Sequence, residues 1–338
     1  MQQARARVAV NGGARVFDTE PGRPLLFSLM ARTILVPSAC GGRAVCGQCR
    51  VRVLSGAGAH NEKEAAILSP AERRAGIHLS CQVTVRGDIE IAIPETSLRA
   101  RPFVTRVAAI RDLAPDLREI ELQLRDPAGI LFRAGQYVQF LLPGTESAEM
   151  PVYRAYSIAS PPSSPRLIRL LFGRLPGGAC TTYAFERLRV DEQIRINGPF
   201  GEFSVRESDR ELIFVAGGSG MAPVRAMLLD LAEKGERRPI TLFAAARSAR
   251  DLVYAAELEA LAAGMPGLKI LPTLSQPLPG DRWTGERGGV APLLARRLGP
   301  LTRHEAYLCG SPGMIDASIA VLRSKGLEDK HIHFDKFS

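Results

Sequence analysis

The sequence predicts a multidomain chain that runs from an α+β domain through an antiparallel β-barrel to a parallel-sheet α/β domain. Three observations carry this: four cysteines early in the chain, a middle stretch of short strands with one helix, and a last stretch where strands and helices alternate. At 338 residues the chain exceeds one ordinary core and suits two or three domains. Apolar content of 46% and charged content of 23% are those of a folded protein. No run of about 18 apolar residues is present, so no transmembrane span is expected. The opening MQQARARVAVNGG lacks the apolar core of a signal peptide, and a reducing, cytoplasmic setting is expected.

Residues 1–97 read as the first domain. RVAVNG and RVFDTE suggest a hairpin, LLFSLMARTI has helical spacing, and CRVRVLSG and QVTVRGDIEIAIP supply alternating strands. Cys40, Cys46 and Cys49 lie in ACGGRAVCGQC, and Cys81 stands alone in HLSCQ, 32 positions after Cys49. This is the pattern of a [2Fe–2S] cluster, in which four thiolates converge on two irons and one short loop supplies three of them. Gly41, Gly42 and Gly47 let the backbone wrap the sulfurs and turn its N–H groups toward their negative charge. The first gap holds five residues rather than the four of the plant-type pattern. A Cys₄ zinc site usually pairs two C-x₂-C knuckles, and only one is present. A disulfide framework ill suits a long chain with no signal peptide.

PETSLRARP is a polar, proline-bounded join, and residues 98–208 form the second domain. FVTRVAAI, REIELQL, QYVQFLLP, YSIASPP, RLIRLLFG and EQIRINGPFG are short strands around one helical stretch, TTYAFERL, as in a small antiparallel barrel. Residues 209–338 form the third. ELIFVAGGSG, PITLFAAARS and HEAYLCGSP are apolar strands, each leading into a helix, as in a parallel sheet with crossovers.

Several motifs carry binding chemistry. In Arg154-Ala155-Tyr156-Ser157 an arginine can pair with phosphate, a tyrosine can lie on a ring and a serine can reach a ring nitrogen. The same residues also suit a buried strand with an edge arginine. Gly178 and Thr181 open the barrel's helix, where N–H groups and a hydroxyl suit a pyrophosphate, although a plain threonine cap has the same appearance. Gly198-Pro199-Phe200-Gly201 reads as a turn. Gly217, Gly218, Gly220, Met221 and Pro223 follow a strand and precede a helix, the setting of a dinucleotide phosphate turn without a strict G-x-G-x-x-G. Cys309 and Gly310 end another strand of the same sheet. Cys309 equally suits a buried apolar position, and Phe337 is either a core anchor or a lid on a ring. His331 and His333 lack a third ligand nearby and read as surface.

The net charge is +9, and residues 1–96 hold twelve Arg/Lys against eight Asp/Glu. No basic-aromatic stripe accompanies this charge, so no nucleic acid is expected; the narrower reading is a basic face for an acidic protein partner.

Together and in this order, the motifs resemble the ferredoxin–NAD(P)H reductase superfamily with a fused N-terminal ferredoxin. ILVPSACGG, CGQCRV, RAYS, GPFGEF and WTG resemble the NADH-input subunit of the sodium-translocating NADH:quinone reductase, which shares the five-residue gap. The architecture also occurs in soluble oxygenase reductases. The resemblance implies a β-grasp ferredoxin domain with Cys40, Cys46, Cys49 and Cys81 on the cluster. Arg154, Gly178 and Thr181 would then hold the FAD pyrophosphate, Tyr156 would stack on the isoalloxazine, and Ser157 would approach N5. Gly217 to Pro223 would face the pyridine nucleotide, Cys309 and Gly310 the nicotinamide, and Phe337 would cover the flavin, making Ser157, Cys309 and Phe337 the residues nearest the reaction.

The implied activity is NADH-dependent electron transfer through FAD and [2Fe–2S], with no general acid or base required. FMN is not excluded by the residues themselves. Arg247-Ser248-Ala249-Arg250 follows a strand where a 2′-phosphate could sit, yet the quinone reductase resemblance carries a similar string and implies NADH. Without a membrane helix, the expected protein is monomeric alone and serves the hydroxylase of a soluble oxygenase. The alternatives are an input subunit of a membrane quinone-reducing complex and a cluster-bearing sensor whose flavin domain has lapsed.

Overall fold

The computed structural model describes residues 5–94, 99–145, 148 and 150–337. The join expected at 97–98 lies outside the described residues. The chain forms two compact units. One comprises the described residues through Val104, with Val138–Ala155 and Ile194–Phe200. The other comprises Thr105–Tyr137, Tyr156–Gln193 and the described residues from Gly201.

The first sheet grows from simple alternation. β1 (Ala6–Val10) buries Ala6, Val8 and Val10, and pairs antiparallel with β2 (Arg15–Thr19) across a turn where Asn11, Gly12 and Gly13 all take positive φ. Its other side runs parallel to β5 (Ile89–Ala92), which pairs with β3 (Arg50–Ser55), itself beside β4 (Ile77–Leu79). The order is β2-β1-β5-β3-β4, and α1 (Leu25–Met30) turns Leu25, Leu26 and Leu29 into its core. QVTV, expected as a strand, makes only an isolated bridge from Thr84 to Pro24. Two short helices were not anticipated, α2 (Glu62–Ile67) and α3 (Pro70–Arg74). Each begins with a capping box, Asn61 with Glu64 and Ser69 with Glu72.

The second sheet contains β6 (Arg101–Ala114), β7 (Leu117–Asp126), β8 (Tyr137–Leu141), β9 (Tyr153–Ser157), β10 (Leu167–Gly173) and β11 (Gln193–Phe200), with α4 (Ala179–Glu186) after β10. Its order is β10-β7-β6-β11-β8-β9. Ile158, just past β9, bridges antiparallel to Leu170 of β10, and Ala159 N–H donates to the Arg169 carbonyl at 2.7 Å. These bonds join the two outer strands of that order, the closure by which a barrel removes its edges. Gly198, Pro199 and Phe200 are the last residues of β11 rather than a turn.

The third sheet is parallel throughout, in the order β15-β14-β13-β12-β16-β17. Its strands are β12 (Glu211–Gly217), β13 (Ile240–Ala246), β14 (Leu268–Leu274), β15 (Glu286–Arg287), β16 (His304–Gly310) and β17 (Ile332–Lys336). The crossovers carry α5 (Met221–Glu233), α6 (Ala255–Gly264), α7 (Val290–Arg297) and α8 (Pro312–Ser324). Buried residues on both faces of β12 and β16 explain their unbroken apolar sequences. Between β12 and β16 the connections leave in opposite directions, and such a switch point opens a crevice at the strands' carboxyl ends.

Candidate cofactor sites

The cluster loop is built for metal. All six cysteines are thiols, and four of them fall into two pairs. Cys40 and Cys46 have sulfurs 3.5 Å apart, and Cys49 and Cys81 have sulfurs 3.4 Å apart. Two thiolates about 2.3 Å from one tetrahedral metal lie roughly 3.8 Å apart, so each pair fits one iron. Gly41, Gly42 and Gly47 all take positive φ, as does Ala44. A hydrogen bond from the Cys46 thiol, then N–H groups of the loop, hold the Cys40 thiol well below the usual range. Gln48 N–H points at the Cys46 sulfur from 3.5 Å.

A second cluster of side chains supports this loop. Buried Glu64 accepts from Leu79 N–H at 2.9 Å and Asn61 N–H at 3.1 Å, and lies 3.2 Å from His78 Nδ1, tying α2 to the strand that leads into Cys81. His60, Glu64 and His78 gather within 4.8 Å. The two imidazoles stack nearly parallel with centroids 3.9 Å apart, so no ion can lie in both ring planes, and both carboxylate oxygens are in use. The trio is a structural tie.

The loop rests on the strand proposed for the flavin. Ala155 N–H reaches the Ala39 carbonyl, and Phe27 of α1 packs with Leu141 and Tyr153. Arg154 Nη1 donates to the Tyr153 carbonyl at 2.6 Å, and a Cβ on Gly41 would stand 2.6 Å from both that nitrogen and that oxygen. The structure therefore places Arg154 against the cluster loop.

Further along the same strand, Tyr156 stacks on Phe172 with centroids 3.7 Å apart, and Ser157 is buried. The Thr181 hydroxyl lies 3.0 Å from the Leu175 and Gly178 carbonyls and 3.3 Å from Leu175 N–H, so it closes the turn before α4. Gly178 is the N-cap, and the first turn of α4 has no acidic side chain, leaving an N-terminus suited to a diphosphate. An aromatic platform beside this helix end fits FAD.

A cleft of about 780 Å³ opens at the switch point, lined by Gly217, Gly218, Arg174, Arg247, Asp251 and Ser275 among others. Its size and its glycine floor fit a dinucleotide. Gly218 has φ +56°, and Gly220 permits a close approach: any Cβ there would collide with the backbone of Cys309 and Gly310. Met221 and Pro223 are buried on α5, so they seat the turn while Gly217 and Gly218 face the cleft. Cys309 is fully buried, and burial raises its thiol well above the ordinary range. It lies in register with Asp335 on β17, whose carboxyl burial pushes up to about 6. Phe337 donates its N–H to the Gly310 carbonyl at 2.9 Å and packs on the same core. His333, expected at the surface, is half-buried and lies 3.0 Å from Glu305.

Sequence reasoning missed Arg174, Ser275, Asp251 and Asp335. Only Asp251 carried a local signal, its three-residue spacing from Ser248, whose N–H and hydroxyl it accepts at 2.9 and 2.7 Å.

Three family models match in chain order. They describe a 2Fe-2S iron-sulfur cluster binding domain over residues 8–86, an oxidoreductase FAD-binding domain over 105–205 and an oxidoreductase NAD-binding domain over 214–319. The chain belongs to the NAD(P)H-dependent reductases in which a [2Fe–2S] ferredoxin is fused to FAD- and NAD-binding domains. Phenol hydroxylase P5 protein of Acinetobacter pittii is 34% identical, over 98% of this chain and 94% of its own. A Na(+)-translocating NADH-quinone reductase subunit of Neisseria gonorrhoeae is 33% identical, over 94% and 88%. Among solved structures, the Amycolatopsis cytochrome P450 reductase GcoB superposes with a TM-score of 0.78 at 27% identity, covering 98% of both chains. The ferredoxin reductase of carbazole 1,9a-dioxygenase shares the fold, with a TM-score of 0.75 at 24% identity and 99% coverage of both. No helix among the described residues is long and apolar enough to cross a membrane.

Proposed function

We propose that this chain takes electrons from NADH and passes them, through FAD and the cluster, to the hydroxylase component of a multicomponent oxygenase. The observation that carries the internal route is the seating of the cluster loop on β9, with Gly41 against Tyr153 and Arg154. Bound FAD supplies the change from a two-electron donor to one-electron delivery. The protein's own residues would hold the cluster on the loop that rests on Tyr153 and Arg154 and the flavin at Tyr156 and Ser157.

The oxygenase reading draws support from the phenol hydroxylase relative, matched along nearly both whole chains. A second reading, input to a membrane quinone reductase, draws support from the NADH-quinone reductase relatives at 33% identity. Under the same NADH supply, the protein is expected to reduce a purified phenol hydroxylase oxygenase component faster than a soluble ubiquinone analogue. The reverse order would move the assignment to the second reading.

NADH is favoured over NADPH because Asp251 lines the cleft beside Arg247. A carboxylate accepts ribose hydroxyls and repels a 2′-phosphate. Flavin bleaching by NADPH as fast as by NADH at equal concentration would sink this preference.

A further inference from the structure

We infer that Arg225 is a positioning residue for hydride transfer, a single guanidinium that ties the flavin-bearing segment to the helix behind the nucleotide turn. This rests on the proposed placement of FAD at Tyr156 and Ser157 and of the nucleotide at Gly217 and Gly218. Arg225 sits on the second turn of α5, directly after that glycine turn, and is only 3% exposed. Its Nη1 donates to the Ala159 carbonyl at 2.5 Å, two residues beyond Ser157. Its Nε and Nη2 form a two-pronged bond to Glu257 at 3.0 and 2.6 Å. The guanidinium also lies 4.8 Å from the centre of the Tyr254 ring, whose hydroxyl donates to Glu119 on β7 at 3.0 Å.

Each of these partners pins a different part. Ala159 belongs to the segment that closes the barrel, Glu257 to α6, and Glu119 to the barrel wall. Tyr254 takes φ +61°, an uncommon conformation for a non-glycine residue, and thereby starts α6 with its ring under the guanidinium. A buried arginine needs its charge matched and its donors engaged, and here Glu257 of α6 supplies the charge while Ala159, beyond β9, supplies a carbonyl. Lysine retains the charge but lacks the planar fork that grips the Glu257 carboxylate at two points.

With both cofactors bound, FAD would supply the acceptor for a hydride and its electron pair from NADH, leaving NAD⁺ and two-electron-reduced flavin. The rate of this step depends steeply on the donor–acceptor distance, which Arg225 helps to set without touching either ring.

The test compares wild type, Arg225→Lys and Tyr254→Phe as full-length holoproteins. Anaerobic stopped-flow with NADH and its C4-deuterated form is expected to show flavin reduction at least tenfold slower in Arg225→Lys. A larger isotope effect, a weaker long-wavelength absorbance on adding NAD⁺, and faster amide exchange over residues 156–160 in flavin-free protein are expected with it. Tyr254→Phe, which removes only the hydroxyl bond to Glu119, is expected to change the rate and isotope effect in the same direction by less. It also keeps the proposal testable should Arg225→Lys fail to fold. A lowered melting temperature with the rate within twofold, and the isotope effect and absorbance unchanged, would make Arg225 a structural rivet and overturn the proposal. Failure of both variants and wild type alike to bind flavin would instead overturn the placement of FAD.

Discussion

Gly41 shows how one missing side chain can seat a loop on a strand. It takes φ +66°, and a Cβ there would press on the Tyr153 carbonyl, a backbone atom that cannot swing aside. Gly41→Ala is expected to destabilise the loop by about 1–3 kcal/mol. It should slow cluster reduction while leaving flavin bleaching by NADH near its wild-type rate, as rapid-mixing spectra resolve. Asp335 makes a different prediction. Its carboxyl is raised from 3.8 to about 6 by burial, so the folded chain holds a proton that the unfolded chain has released between those values. Stability from this group is full below pH 4 and lost as pH rises through 6. Asp335→Asn should therefore raise stability against urea at pH 7.5, by on the order of 1–2 kcal/mol after screening, and leave it unchanged near pH 4. Equal shifts at both pH values would refute the burial argument. The cysteines and glycines were legible because metal and phosphate chemistry imposes close spacing. Asp335 and Arg225 were not, because register with Cys309 and contact with Ala159 exist only after the sheet and barrel have closed.

At the scale of elements, what could be read depended on length and pattern. The β1–β2 hairpin carried a turn signal, and β12, β13 and β16 were unbroken apolar runs. β14 has Pro272 in its interior, so it did not announce a strand. Helices α2 and α3, of six and five residues, are too short for a helical period, although both capping boxes stood in the sequence. Ser69→Ala removes the cap that accepts from Glu72 N–H and is expected to destabilise by about 1 kcal/mol, measured by amide exchange in α3. Gly220→Ala acts on a whole turn. Its Cβ meets the backbone of Cys309 and Gly310, so the turn must lift from β16, and NADH affinity should fall at least tenfold in equilibrium titration. Unchanged affinity would mean that the nucleotide does not rest on that turn.

For the whole molecule, the order of motifs gave the three cofactor domains before any contact was known, and the three family models match in that same order. The sequence could not identify the acceptor, because under the proposed function the last electron leaves for another polypeptide. The basic balance of residues 1–96 predicts that reduction of an acidic partner slows as salt rises from low ionic strength. The central claim is that electrons entering as NADH reach the cluster through flavin within this one chain. Its most direct test is an anaerobic NADH titration of the holoprotein, followed by visible absorbance for flavin and by low-temperature electron paramagnetic resonance for the cluster. Flavin bleaching is expected first, then a reduced-cluster signal, approaching full reduction at about 1.5 equivalents of NADH, since flavin holds two electrons and the cluster one. Flavin that bleaches while the cluster stays silent under excess NADH, yet responds to dithionite, would contradict it.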